Sequence, residues 1–289
     1  MRNLLKVGLR RLVQSSTPDE PRHAAGAKRA VVVAVATQKG GVGKTTTAVS
    51  VAAALARFHG LVVLVVDLDP QGHVATSLRS TGAPASAGLS LAKVLEDEGG
   101  AEVLDAVIPT GIDRLSITRS DTGLAATEDL LGTRIGKEFV LRDKLRVTRT
   151  HFDVIVLDCP PNQGNLTVNG LCAADQVLIP CDPSPLALKG VEALVHTISQ
   201  IALRLNPTVD VLGVLLTRVD GRNVTLNDAI VGEIEHTYGD ALLPVRIGIN
   251  ASLSKAQHAG LDIFAFDPDS RAAQQYKDLA SHLVSALAQ

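Results

Sequence analysis

The densest chemistry in the chain is Lys39-Gly40-Gly41-Val42-Gly43-Lys44-Thr45. Glycines leave room for backbone N–H groups to approach an oxyanion, and they adopt the positive φ angles that such a loop needs. The apolar run Ala30–Ala36 before the loop reads as a buried strand, and the Ala-rich stretch Lys44–His59 after it reads as a helix. A strand–loop–helix unit presents the loop amides together with the positive end of the helix dipole. In this pattern Lys44 is expected to reach β- and γ-phosphates and the Thr45 hydroxyl a Mg²⁺ ion. Lys39, Gly40, Gly41, Val42, Gly43 and Thr46 complete the candidate phosphate-binding set. The plain pattern G-x-x-x-x-G-K-[ST] is not met, because Gln38 stands at its first glycine. The strand–loop–helix context carries the assignment instead.

Carboxylates follow two other apolar runs. Leu61–Val66 leads into Asp67-Leu68-Asp69-Pro70, and Val154–Leu157 leads into Asp158-Cys159-Pro160-Pro161. A carboxylate just past a hydrophobic strand beside the loop strand can hold a Mg²⁺-bound water. For Asp67 and Asp69 a second use stays open, the capping of a following helix.

The elements that must position these groups alternate along the chain. Strands are expected at 31–36, 61–66, 103–108, 115–117, 154–157, 177–180, 211–217 and 241–247. Helices are expected at 44–59, 121–131, 137–149, 165–173, 187–205, 224–238, 251–259 and 270–288. Such alternation indicates an α/β fold, a doubly wound, mainly parallel sheet flanked by helices with sites at strand carboxyl ends. Apolar residues make up 46% of the 289, with one Met and no Trp, so Ala, Val and Leu fill the core. Residues 30–289 read as one domain and residues 1–29 as a basic N-terminal extension. That extension is either a tail or a short basic helix for DNA, an anionic membrane or a partner. The net charge of −2 excludes a uniformly basic nucleic-acid binder but not a local basic patch. Cys159, Cys172 and Cys181 have no metal-ligand spacing and read as small core residues of a reducing cytosol. No apolar run approaches the ~18 residues of a membrane span.

The second lysine, Lys39, resembles the signature lysine of the deviant Walker A family of P-loop ATPases. That family includes the ParA/Soj partition ATPases, the MinD positioning ATPases and relatives in arsenite transport and nitrogenase reduction. The stretches Asp69-Pro70-Gln71-Gly72, Ala187-Leu188-Lys189-Gly190, Gly213-Val214-Leu215-Leu216-Thr217 and Phe266-Asp267-Pro268-Asp269-Ser270-Arg271 look specifically like ParA/Soj. The resemblance implies an ATPase with ATP and Mg²⁺ as cofactors, dimeric when ATP-bound, with Lys39 reaching the partner's phosphates. It makes Asp69 the residue that orients the attacking water, places Asp67 near the metal and water network, and makes Asp158 the Walker B aspartate. Lys39, Lys44, Asp67 and Asp69 are then the candidate catalytic residues, and Thr45, Asp67 and Asp158 the candidate metal-site residues.

The resemblance also implies non-specific DNA binding, hydrolysis stimulated by a ParB-type centromere-binding partner, plasmid or chromosome partition, and a cytoplasmic, nucleoid-associated location. Candidate DNA contacts are Arg218, Arg222, Arg246, Lys255 and Arg271. The family's V-R-L-S-E-A-P-S stretch reads here as Ala251-Ser252-Leu253-Ser254-Lys255-Ala256-Gln257-His258, so Ser252 replaces an arginine and Lys255 a glutamate. The C-terminal stretch QQYKDLASHLVSALAQ lacks the Lys/Arg density of a membrane anchor. Two other uses of the scaffold remain open. One is the positioning of another cargo, such as a protein cluster or a conjugation or secretion apparatus. The other is a membrane-associated switch working through the basic N-terminus.

Overall fold

A computed structural model describes residues 29–78, 88–119, 123–220, 224–239 and 241–287. The extension up to residue 28 and Arg222 lie outside the described residues. Strands β1 (Val31–Val35), β2 (Val63–Asp67), β3 (Val107–Pro109), β4 (Leu115–Thr118), β5 (Val154–Asp158), β6 (Gln176–Cys181), β7 (Asp210–Val219) and β8 (Leu242–Gly248) form one sheet. Their order is β3-β4-β2-β5-β1-β6-β7-β8. Among the described residues only the pairing of β3 with β4 is antiparallel. This is the doubly wound architecture expected from the alternation.

Alternation along each strand divides the core in two. On β1, Val32 and Ala34 join one apolar cluster, and Val33 and Val35 join the other. A strand with helices on both sides has no solvent face, so a continuous Val/Ala run suits it. Helices α1 (Lys44–His59), α2 (His73–Ser77), α9 (Ala251–Ala259), α10 (Ile263–Phe266) and α11 (Arg271–Leu287) contribute to the Val33/Val35 side. Helices α3 (Leu91–Glu96), α4 (Leu124–Leu131), α5 (Val140–Lys144), α6 (Asn165–Ala173), α7 (Pro185–Arg204) and α8 (Val224–Tyr238) contribute to the other. Helix α1 is wedged between the sheet and α11, which explains its composition. Ala48, Ala52, Ala53 and Ala54 are fully buried, and small side chains allow the close approach. The Thr47 and Tyr276 hydroxyls meet at 3.2 Å across the α1–α11 contact, giving each buried oxygen a partner.

Three local expectations differ from the structure. The segment 103–108 does not form a strand throughout. Residues Val103–Ala106 make a 3₁₀ turn closed by a reciprocal Glu102–Asp105 capping box, and the strand begins only at Val107. The segment 137–149 breaks into two 3₁₀ turns around the short α5. Helix α10 was not anticipated; Asp262 caps it by accepting hydrogen bonds from the Phe264 and Ala265 amides.

Candidate functional site

Register places the chemistry. In the order β2-β5-β1, Asp67 pairs with Asp158, and Asp158 pairs with Val35. The last residues of three adjacent parallel strands therefore stand side by side, at the edge where the glycine loop leaves β1. The loop closes on α1 through Gly43, whose φ of 90° is left-handed, and Gly41 has φ 76°. Both positions favour glycine on conformational grounds. A β-carbon at Gly40, Gly41 or Gly43 would meet no protein atom within 4 Å. The space above the loop is thus open, and an anion could enter it and meet the amides at the start of α1.

The Asp158 carboxylate is fully buried, and among the described residues neither of its oxygens has a hydrogen-bond partner within 3.5 Å; the Thr45 hydroxyl is the side-chain donor near enough to act on it. Burial pushes its pKa up to about 8, and the nearby Asp67 adds to the rise. The Thr45 hydroxyl and the Lys44 ammonium act in the opposite direction. Lys44 is 7% exposed, and burial lowers its pKa against the opposing pull of Asp158 and then Asp69. Its ammonium makes only a long contact, 3.5 Å, to the Lys39 carbonyl. A buried cation and a buried carboxylate lacking full sets of partners mark a place built for something else.

Asp67 differs from Asp158. One of its oxygens accepts from the Asp69 amide and the other from the Val74 amide, each at 3.1 Å. Burial raises its pKa to about 7, with these two hydrogen bonds opposing. Asp67 thus ties down the start of α2, the capping use left open from sequence. Asp69 is 8% exposed and accepts from the Gln71 amide at 2.9 Å. Thr46, in the first turn of α1, also lines a hollow of about 20 Å³ with Ser77 and Leu253.

The Lys39 ammonium is held by Asp182 at 2.7 and 2.9 Å and by the Ser184 hydroxyl at 2.9 Å. Sequence reading missed both partners. They lie just past β6, the strand beside β1, and strand carboxyl ends next to a site strand are where such residues collect. Thr217, at the end of β7, was also missed as a site residue; its hydroxyl donates to the Val42 carbonyl at 2.7 Å.

The candidate basic contacts do not behave alike. Arg218 donates to the Gly41 carbonyl at 3.1 Å and so belongs to the phosphate loop's surroundings. Arg246 is ion-paired with Glu235. Lys255 and Arg271 are exposed, at α9 and at the start of α11. The Ser252 hydroxyl donates to Asp267 at 2.6 Å. The three cysteines are buried and free, as expected. No helix among the described residues is long and apolar enough to cross a membrane.

The raised carboxyl pKa values have a consequence for stability. Asp158 and Asp67 bind protons more tightly in the folded chain than in the unfolded one, so folding stability falls as pH rises from near 4 toward 8. In EDTA and without ligand, the denaturant midpoint is expected to drop between about pH 5 and about pH 8, and Asp158→Asn to flatten that drop. A wild-type midpoint no more pH-sensitive than that of Asp158→Asn would contradict this assignment.

Several known proteins are similar to this chain. A family described as an AAA domain matches residues 30–211. The sporulation initiation inhibitor protein Soj of Bacillus subtilis is 35% identical over 254 residues, which cover 88% of this chain and 98% of Soj. The chromosome partitioning protein ParA of Caulobacter vibrioides is 35% identical over 256 residues, 88% of this chain and 94% of its own. Among solved structures, a cobyrinic acid a,c-diamide synthase of Mycobacterium smegmatis with bound ADP and magnesium aligns with a TM-score of 0.72 at 34% identity. That alignment covers 88% of this chain and 94% of the synthase chain.

Proposed function

Because the chain belongs to the ParA/Soj family of P-loop ATPases, we infer that it binds and hydrolyses ATP with Mg²⁺ and uses the nucleotide to switch a homodimer that binds DNA in plasmid or chromosome partition. The observation that carries the reading is the buried Asp158 carboxylate, with no hydrogen bond within 3.5 Å among the described residues, facing Thr45 and Lys44 beside the open glycine loop. A hard divalent cation takes oxygen ligands and keeps several waters. Asp158, through a water, and the Thr45 hydroxyl would hold it, and the bound metal would draw charge off the phosphates. The loop amides and Lys44 would bind the β- and γ-phosphates, and Asp69 would orient the attacking water.

Lys39 gives the switch its logic. In the single chain its ammonium is engaged by Asp182 and Ser184. Reaching a partner's phosphates requires leaving that pair, so the incoming phosphate charge has to compensate for it. Dimerisation then follows nucleotide state. The dimer would double a basic footprint that includes Lys255 and Arg271. Phosphate contacts of that kind make DNA binding strong and salt-sensitive, with no sequence preference. A ParB-type protein is the expected trigger of hydrolysis, and a nucleoid-associated cytoplasmic location goes with these partners. Positioning of another cargo by the same switch is favoured by one observation. Ser252, where the family has an arginine, is turned to Asp267 and offers no cation.

Two experiments test this. Lys44→Ala is expected to abolish Mg–ATP binding, while Lys39→Ala keeps the binding and loses dimer-dependent hydrolysis. Wild-type turnover in either variant, read by phosphate release, would contradict the assignment. Binding to arbitrary duplex DNA, measured with and without ATP, is expected to require ATP and to weaken steeply with salt. A flat salt response or no binding would favour the other cargo.

A further inference from the structure

Arg218 is built into the structure in an unusual way. It is one of two non-glycine residues with positive φ among the described residues, at 55°; the other is Arg114, at 61°. A β-carbon in the left-handed region is disfavoured by roughly 1–2 kcal/mol, and such strain persists where the surroundings enforce it. Here an irregularity within β7, where its register with β8 shifts between Leu216 and Val219, carries the chain from the buried Thr217 to an exposed guanidinium lying against the phosphate loop. Neighbouring residues thereby grip neighbouring carbonyls. The Thr217 hydroxyl donates to Val42 at 2.7 Å, and the Arg218 guanidinium donates to Gly41 at 3.1 Å.

The geometry of a trans peptide gives this grip a consequence. Within one peptide plane, the carbonyl and the following N–H point in opposite directions. The chain has no cis peptide among the described residues. Holding the Gly41 carbonyl toward β7 turns the Val42 amide away from β7, and holding the Val42 carbonyl does the same for the Gly43 amide. These are consecutive amides of the loop whose open side has room for an anion. On the Gly41 side the backbone is permissive, because glycine at φ 76° has access to several conformations, whereas Val42 is buried and held by Thr217.

We propose that Arg218 is a nucleotide-positioning residue, which fixes the Gly41–Val42 peptide so that the Val42 amide is preset for the phosphate chain. The proposal deepens the ATP reading above and rests on it. It also takes Arg218 out of the set of DNA contacts. Arg218 acts through the loop backbone, so ADP and ATP should feel its loss alike.

The test uses the strained backbone to separate this role from a structural one. Arg218→Gly removes the guanidinium but relieves the left-handed strain. In the full chain its ligand-free thermal midpoint is expected at or above that of wild type. Its Kd for both Mg–ATP and Mg–ADP, by calorimetry, is expected to rise about tenfold, the scale of one charge-assisted hydrogen bond. Arg218→Lys should recover part of that loss. Arg114→Gly relieves the same kind of strain at the far end of α1, where Arg114 donates to the Gly60 carbonyl, and should leave the Kd unchanged. An Arg218→Gly affinity within about twofold of wild type, or a loss of affinity that merely follows a lowered midpoint, would overturn the proposal. So would weakened DNA binding at saturating nucleotide with nucleotide affinity intact. A wild-type chain that binds neither nucleotide would overturn the ATP reading itself, a result distinct from an unchanged Arg218→Gly variant.

Discussion

Asp158 sits at the end of a central strand, between Asp67 on one neighbour and Val35 on the other. Its carboxylate is out of water and, among the described residues, accepts no hydrogen bond within 3.5 Å, with the Thr45 hydroxyl and the Lys44 ammonium nearby. A buried unpaired carboxylate costs several kcal/mol unless it takes up a proton or gains a counter-charge. The fold tolerates it because the strands on both sides are fixed by two apolar clusters that have no easy way to rearrange. The nearby Lys44 ammonium offsets part of the charge without quenching it. What remains is a site with unmet demand for a cation, placed where a glycine loop leaves room for phosphate. The second carboxylate, Asp67, is spared this state because the Asp69 and Val74 amides satisfy it.

Around that demand the loop is braced from two strands. From β6 come Asp182 and Ser184, which hold Lys39. From β7 come Thr217 and Arg218, which hold Val42 and Gly41. The two braces differ in kind. The Thr217 bond is buried and neutral and sets the backbone. The Lys39–Asp182 pair is partly exposed, so solvent screens it, and charge arriving with a nucleotide can compete for the lysine. A braced loop beside a partly exposed lysine pair fits the proposed switch, in which nucleotide binding and assembly are separate steps.

Much of this was legible in the chain because buried parallel strands need continuous apolar runs. Those runs end sharply at Asp67 and Asp158, and helix α1 runs over Lys44–His59 as its Ala-rich pattern indicates. Periodicity was blind where local hydrogen bonding overrides it, as at the Glu102–Asp105 capping box. The bracing residues were hidden for another reason. Lys39 and Asp182 lie 143 positions apart, and Gly41 and Arg218 lie 177 apart; only the strand order brings them together. The same distance hid the contact between Arg218 and the Gly41 carbonyl, since the charge of Arg218 alone reads like that of any surface arginine.

We propose that Asp158 is a carboxylate of the Mg²⁺ site that acts when nucleotide binds. This claim is tested most directly by the Mg²⁺ dependence of ATP affinity, measured by calorimetry in the wild-type chain and in Asp158→Asn. Wild type is expected to bind ATP more tightly with Mg²⁺ than in EDTA, and the variant to lose most of that gain. Equal gains in the two proteins would contradict the claim.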